Sequence, residues 1–222
     1  MDTMNKLLTE CFYFSKSNVG SIFKLFGPYV IVTSLLSPFV ELFYGWGNFF
    51  YLVVISFINT YLMVRFIKFM AFAASGFPKE QTVSLSEWWR LLVVYFFYGV
   101  AVLVGSIALI VPGLYFAAKY GFADFEAILN DKPAFSALGE SWKDTKGIAG
   151  RLMMVTALIG GSQILLGFAF GLAGDSSTLL YIASEILYGL ISTSLMIFMS
   201  VVYFRLYTED RTEQEASLES ET

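Results

Sequence analysis

Histidine is absent from the 222-residue sequence, and cysteine occurs once, at Cys11. These absences exclude a Ser/His/Asp triad, a Cys/His nucleophile pair, a His-ligated haem and an internal disulfide. A zinc site would need a group of His or Cys ligands that the chain does not have. We therefore expect no catalytic residues, no metal site and no cofactor, and a protein that is not an enzyme.

Charged residues are also scarce. They make up 14% of the chain, whereas apolar residues make up 57% and aromatic residues 18%. Soluble domains usually contain about 45–50% apolar and about 25% charged residues, so the composition predicts an integral membrane protein. The basic residues are scattered singly, which argues against a nucleic-acid partner.

The acidic charge is concentrated at the C-terminal end. Residues 208–222 hold six acidic residues against Arg211, which leaves the rest of the chain with a net charge of about +1. Leu218 is the one large apolar residue in this segment, too little to form a core. The pattern predicts a single transmembrane domain over residues 1–207, followed by a disordered acidic tail over 208–222.

Six stretches are apolar enough to cross a bilayer, for which a helix needs ~20 mainly apolar residues. They are residues 25–46, 48–64, 88–111, 113–129, 148–172 and 178–204. The fourth is the weakest, because it contains Lys119, Asp124 and Glu126. The expected fold class is all-α: a polytopic membrane protein with six transmembrane helices.

The basic residues are distributed unevenly around these stretches. Thirteen of the 14 lie before the first stretch, around the second-to-third and fourth-to-fifth connections, or at the end of the chain. The other three connections contain none. Since lysine and arginine are retained on the cytoplasmic side, we expect both termini to be cytoplasmic. Lys119 is the basic residue left inside a span.

Two segments outside the spans have the pattern of helices lying at the membrane surface. One is an N-terminal helix over about residues 4–14, for which an ordered lead-in to the first span is an equal alternative. The other covers about residues 131–147 on the cytoplasmic side. Its apolar residues Phe135, Leu138 and Trp142 recur at helical spacing, as expected of an amphipathic helix.

Short motifs in the middle and at the end of the chain resemble those of a known family. The residues concerned are Pro112-Gly113-Leu114-Tyr115, Lys119-Tyr120, Ala137-Leu138, Ser141-Trp142-Lys143, Thr145-Lys146-Gly147 and Phe204-Arg205-Leu206-Tyr207. They are similar to the signature of the YciC-like uncharacterised bacterial inner-membrane proteins, and to the membrane domain of some glycerophosphoryl diester phosphodiesterases. The resemblance implies a multi-pass protein of the bacterial cytoplasmic (inner) membrane. It transfers no catalytic residue.

Pro112 and Gly113 follow the third stretch directly. Proline cannot continue a helix, and glycine adopts left-handed dihedrals, so the pair predicts a tight turn between the third and fourth spans. The alternative is a broken helix around a substrate site, as in transporters.

Glycines are frequent in the fifth stretch and include Gly167 and Gly171, one helical turn apart. Small residues at this spacing allow close helix packing within a membrane. We expect them to pack inside the molecule, with a homodimer face as the alternative.

Ionisable residues inside the spans are expensive and are usually paired or in contact with water. Lys119 and Glu185 each lie seven residues from the outer end of a predicted span, or ~10 Å deep. We therefore predict an ion pair between them, with a polar site for an ion, proton or lipid headgroup as the alternative. Asp124 and Glu126 are the other polar intramembrane residues and lie nearer the cytoplasm.

By analogy with the phosphodiesterase membrane domain, we expect a non-enzymatic role in lipid or envelope homeostasis, through binding or organising membrane phospholipids. The candidate lipid-headgroup residues are Trp142, Lys143, Lys146 and Arg151, at or just beyond the 131–147 helix. A small transporter or channel is the first alternative. The second is an assembly or scaffold subunit with a membrane-protein partner.

The asymmetry of basic residues generates a topology prediction. In a Cys11→Ser background, Gly45→Cys, Gly113→Cys and Ser176→Cys should react with an impermeant maleimide added outside intact cells, because all three lie on predicted outer connections. Gln81→Cys should stay unlabelled until the cells are opened. Labelling of Gln81→Cys from outside intact cells would show that the predicted orientation is wrong.

Overall fold

The structure, a computed structural model, describes residues 2–40, 46–75, 82–173 and 178–221. These residues form nine α-helices and no strands, which confirms the all-α prediction. The helices are α1 (Asp2–Ser17), α2 (Val19–Val40), α3 (Trp46–Ser75), α4 (Leu85–Ala108), α5 (Ile110–Lys119), α6 (Ala123–Leu129), α7 (Ala134–Asp144), α8 (Ala149–Ala173) and α9 (Thr178–Glu221). The labelling positions Gly45, Gln81 and Ser176 lie outside the described residues.

Four of these helices are long and apolar enough to cross a membrane, and they correspond to the second, third, fifth and sixth predicted spans. The segments are Phe49–Ala74, Leu85–Ile107, Ala149–Gly171 and Ala183–Thr212. A shorter apolar segment, Val19–Thr33, lies in α2, near the first predicted span. Large apolar side chains such as Ile107, Leu165 and Phe50 are 64–78% exposed. Their exposure is costly in water and natural in lipid, so the architecture is that of a membrane protein.

In place of one continuous fourth span, the structure has the two short helices α5 and α6. At ten residues, α5 is ~15 Å long, about half the hydrocarbon thickness. Side chains of α7 take over backbone hydrogen bonds at the break. The Ser141 hydroxyl donates to the Lys119 carbonyl at 2.9 Å and accepts from the Phe122 N–H at 3.0 Å. The Thr145 hydroxyl donates to the same carbonyl at 3.1 Å.

The α4–α5 hairpin reverses at Leu109, which is extended (φ −169°, ψ 157°). The prediction of a turn at Pro112 and Gly113 is therefore wrong, since both lie in the first turn of α5. Proline is tolerated there because its missing N–H would have no partner within the helix. Gly113 contributes to packing instead, because a Cβ at this position would force the Ser106 side chain of α4 to shift.

The amphipathic helix expected over 131–147 is α7, shorter at both ends. Asp131 lies before its first residue, with a positive φ of 53°, and its carboxylate pairs with Arg90 at 2.9 Å. The N-terminal helix, expected over 4–14, is longer as α1 and contacts α9, where Glu10 lies 3.3 Å from Arg205. The backbone of α9 continues as helix through 208–221, where the composition predicts a disordered tail.

The short helix α6 lies in the centre of the bundle. Its Phe125 and the preceding Phe122 are almost completely buried, together with Phe66 of α3, Leu152 of α8 and Leu206 of α9. The Phe122 and Phe125 rings lie 5.2–5.3 Å from the ring of Tyr207. Burial of these large side chains holds the break, and the polar residues next to it, against α9.

Gly121 lies in the break between α5 and α6, and adding a single methyl group there should destabilise the folded protein. A Cβ at Gly121 would overlap the ring of Tyr203, which is buried and hydrogen-bonded to Thr156, so a methyl group there would displace a packed and hydrogen-bonded ring. Gly121→Ala should lower the free energy of unfolding by about 1–3 kcal/mol, as overpacking does. Thermal unfolding in detergent measures this.

The matched control is Gly99→Ala in α4, because no atom lies within 4 Å of the position that a Cβ would take there. Alanine at this position should leave stability unchanged or raise it slightly, since alanine favours helix over glycine. Equal unfolding midpoints for the two variants would contradict the packing of Gly121 against Tyr203.

Candidate functional site

The break between α5 and α6 directs two acidic side chains of α6 into different surroundings. Asp124 faces a cavity among α3, α4 and α9, and Glu126 faces the α6–α7 connection and the far part of α9. Both were predicted as polar intramembrane residues. The structure shows that they belong to two separate sites.

Glu126 is completely buried and surrounded by donors. One carboxylate oxygen lies 2.8 Å from Lys132 Nζ and accepts from the Asn130 amide at 2.9 Å. The other accepts from the Tyr207 hydroxyl at 3.0 Å and pairs with Arg211. A buried carboxylate is tolerated when charged and polar donors satisfy it in this way. We call these five residues the Glu126 cluster.

Glu126 lies outside the four long apolar segments. Burial raises the pKa of its carboxyl, but hydrogen bonds from Lys132, Asn130 and Arg211 outweigh this, so the pKa lies below its ordinary value. Glu126 is therefore ionised in the folded protein at neutral pH. Asp144 of α7 lies 3.7 Å from Arg211. The cluster thus links α6, α7 and α9 electrostatically.

The Asp124 cavity has a volume of about 320 Å³. Its polar lining consists of Asn59, Tyr95, Tyr98, Tyr120, Asp124, Ser200 and Tyr203, and methionines and Val94 supply much of the apolar part. The Asp124 carboxylate accepts a hydrogen bond from the Phe125 N–H at 2.9 Å. The hydroxyls of Tyr95 and Tyr98 lie close enough to interact with it electrostatically.

Lys119 and Glu185 are not paired with each other in the described part of the chain, so the predicted ion pair is not formed. Lys119 is buried at the end of α5, with its ammonium 5.1 Å from the Trp142 ring centroid. Glu185 interacts electrostatically with Tyr51 of α3. The expected match in depth required a turn at Pro112 and a continuous fourth helix, and the structure has neither.

A groove of about 610 Å³ lies between α4 and α7. Phe97, Val100, Phe135 and Leu138 line it, with Trp142 and Lys143 at one end. We call this the α4–α7 groove. The Trp142 ring packs 5.3–6.0 Å from the rings of Tyr115, Phe116 and Tyr120.

The four predicted headgroup residues do not form one site. Trp142 and Lys143 line the α4–α7 groove, whereas Arg151 lines a different surface cavity beside α1. Lys146 is exposed and interacts electrostatically with Lys119. The predicted apolar stripe is also divided, since Leu138 is 8% exposed and Phe135 is 67% exposed.

The predicted packing glycines differ in their surroundings. A Cβ at Gly167 would lie 3.5 Å from the Tyr188 hydroxyl of α9, so this glycine packs inside the molecule. At Gly171 no described atom lies within 4 Å of the same position.

Comparison of the chain with protein-family models, with curated proteins and with solved structures finds no match. The possible roles of the Glu126 cluster, the Asp124 cavity and the α4–α7 groove are therefore inferred from their own geometry.

Sequence reasoning identified Asn59 as a polar residue within a span but did not place it at a site, and it missed the tyrosines of the cavity and the pairing of Lys132 and Arg211 with Glu126. One signal was available, because Tyr95 and Tyr98 lie three residues apart and so share a face of α4. The approach of α9 to α6 depends on long-range packing and leaves no local pattern in the sequence.

The lowered pKa of Glu126 predicts a pH-dependent contribution to stability. A carboxyl whose pKa is lower in the folded than in the unfolded state stabilises the folded state at pH values above its unfolded-state pKa of ~4.3. This stabilisation disappears as the pH falls through the pKa of the folded state. Glu126→Gln should therefore lower the free energy of unfolding by about 3 kcal/mol at pH 7, because Lys132 and Arg211 lose their counter-charge. The difference from wild type should shrink steadily below about pH 4.

Thermal unfolding in detergent between pH 3 and pH 7 measures this difference. Glu140→Gln is the matched control, since its carboxylate is half-exposed and its two basic neighbours lie 3.8–3.9 Å away. It should change stability little at any pH. A Glu126→Gln effect that is the same at pH 3 and pH 7 would argue against an ionised Glu126.

Proposed function

We propose that the protein is a multi-pass protein of the bacterial inner membrane that binds and organises phospholipid, with the α4–α7 groove as the binding site. The groove carries the proposal: an apolar channel that ends at a tryptophan and a lysine matches the two halves of a phospholipid. Its side walls suit an acyl chain, and its Lys143 end suits a phosphate group.

The individual contacts support this assignment. Phe135 is 67% exposed and packs 4.7 Å from Phe97 of α4, so an apolar surface faces outward where lipid would lie. Tryptophan favours the interface between hydrocarbon and headgroups, the position that Trp142 would have. Lys143 is largely exposed, and one lysine near an anionic surface contributes ~1 kcal/mol of attraction.

The membrane arrangement is part of the proposal. Six crossings result if α2 forms the first and α5 with the start of α6 forms the fourth. Cytoplasmic termini are supported by the 13 of 14 basic residues on one side. The resemblance to the YciC-like proteins supports the inner membrane as the location.

A small transporter or channel is the second candidate function. It is favoured by the interruption between α5 and α6 beside a cavity that contains a carboxylate, since transporters bind substrates at interrupted helices.

Removing the charge at the end of the groove should weaken lipid binding without unfolding the protein. We expect Lys143→Gln to lower the amount of co-purified anionic phospholipid about fivefold, the equivalent of ~1 kcal/mol. The measurement is quantitative lipid mass spectrometry of the detergent-purified protein. The matched control is Lys146→Gln, which loses the same charge three residues away but does not line the groove.

A second variant tests the acyl-chain part of the same site. Gly139 lines the groove and has open space where a Cβ would be placed, so Gly139→Leu should fill part of the groove. Neutral and anionic lipids should both be lost, with unfolding temperature retained. Lipid content equal to wild type in both Lys143→Gln and Gly139→Leu would refute the groove as the lipid site.

A further inference from the structure

The Asp124 cavity differs from the α4–α7 groove in that an acidic side chain, Asp124, lines it. Binding of a phospholipid in the groove makes no use of this side chain. Asp124 and Asn59 are among the residues that line the cavity. Among the described residues, no lysine or arginine forms an ion pair with Asp124. Asn59 Oδ1 is buried and has no hydrogen-bond partner there.

An unpartnered buried acceptor is uncommon, because burying it without a donor costs the hydration it had in the unfolded chain. Within the described ranges, the Asn59 oxygen lacks a donor. The Asp124 carboxylate already accepts from the Phe125 N–H and interacts with the Tyr95 hydroxyl, but in that same part of the chain it lacks a cationic partner. A ligand that carries N–H groups and a positive charge would satisfy the Asn59 oxygen and the Asp124 carboxylate together.

The remaining lining indicates what kind of cation fits. Tyr95, Tyr98, Tyr120 and Tyr203 contribute aromatic rings, which attract cations through their π faces. Met63, Met196 and Met199 add apolar, polarisable surface for a hydrocarbon group. The volume of about 320 Å³ is at the lower end of the range for small-molecule sites, about 300–1,000 Å³.

A metal ion fits the same lining less well. Hard cations prefer six or more oxygen ligands, and the cavity offers a single carboxylate. Among the described residues, no group of three or more Cys, Asp or Glu side chains is placed to hold a metal.

We propose that this cavity binds a small primary ammonium compound with an apolar substituent. The ammonium group pairs with the Asp124 carboxylate and donates to Asn59 Oδ1, the tyrosine rings surround the charge, and the methionines contact the substituent. The site shares one lining residue, Tyr120, with the α4–α7 groove, and the proposal does not rest on the phospholipid that we propose to bind there.

Thermal unfolding of the purified full-length protein in detergent, titrated with butylammonium or benzylammonium chloride, tests the proposal. A ligand that binds the folded state raises the unfolding midpoint as its concentration rises. We expect a saturable rise for wild type. Potassium chloride at equal ionic strength should not produce it, and tetramethylammonium, which has no N–H donors, should produce a smaller one.

Two variants remove one acceptor each. Asp124→Asn keeps the size and the acceptor for the Phe125 N–H but loses the charge, and should weaken amine affinity at least tenfold. Its control is Asp131→Asn, which loses the same charge at a residue that does not line the cavity, at a positive φ that asparagine tolerates. Asp131→Asn should bind amines like wild type.

Asn59→Leu keeps the test decisive if Asp124→Asn does not fold. Replacing the unpartnered amide by an apolar side chain of similar size should leave stability equal or higher and weaken amine affinity. Unchanged affinity in the folded variants would overturn the proposal, as would the absence of a saturable rise in wild type. An equal rise with tetramethylammonium or potassium would also overturn it, by assigning the site to another cation.

Discussion

Two hydroxyls of α7 hydrogen-bond to backbone groups that the break between α5 and α6 leaves without helical partners. The positions of the Asp124 cavity and of the Glu126 cluster depend on these bonds. Ser141 bonds to groups on both sides of the break, and Thr145 shares the Lys119 carbonyl. Both side chains are completely buried. A backbone interrupted inside an apolar bundle must find such partners, because unpaired N–H and C=O groups are costly there. The interruption can therefore exist only where α7 packs.

The interruption determines where the two acids of α6 lie. It brings Asp124 to the cavity between α4 and α9, and it brings Glu126 to the basic residues of the α6–α7 connection and α9. Glu126 pairs with Lys132 and Arg211 and so links α6 to the α6–α7 connection and to α9. Asp124 keeps a carboxylate in a cavity lined by tyrosines. Two acids two residues apart thus have different chemical roles, because their surroundings come from different helices.

The sequence was sufficient for features that depend on composition or on local spacing. The four long apolar segments follow from hydropathy, and the amphipathic helix expected over residues 131–147 is present as the shorter α7. The turn was misplaced because leucine at position 109 gives no sequence signal for a turn. Pro112 and Gly113 give a strong one, but in the structure they lie in the first turn of α5, where Gly113 packs against α4. The partners of Glu126 come from residues up to 85 positions away, and single-sequence periodicity contains no information about such contacts.

The reversal at Leu109 has a consequence for how the chain enters the bilayer. Leu109, Ile110 and Val111 are 64–76% exposed, so the tip of the α4–α5 hairpin presents hydrocarbon rather than a polar loop. Moving a hydrophilic loop across a membrane is a principal barrier to insertion of a helical hairpin, and this hairpin has no such loop. The two helices can therefore enter from one side as a hairpin without carrying a polar loop across.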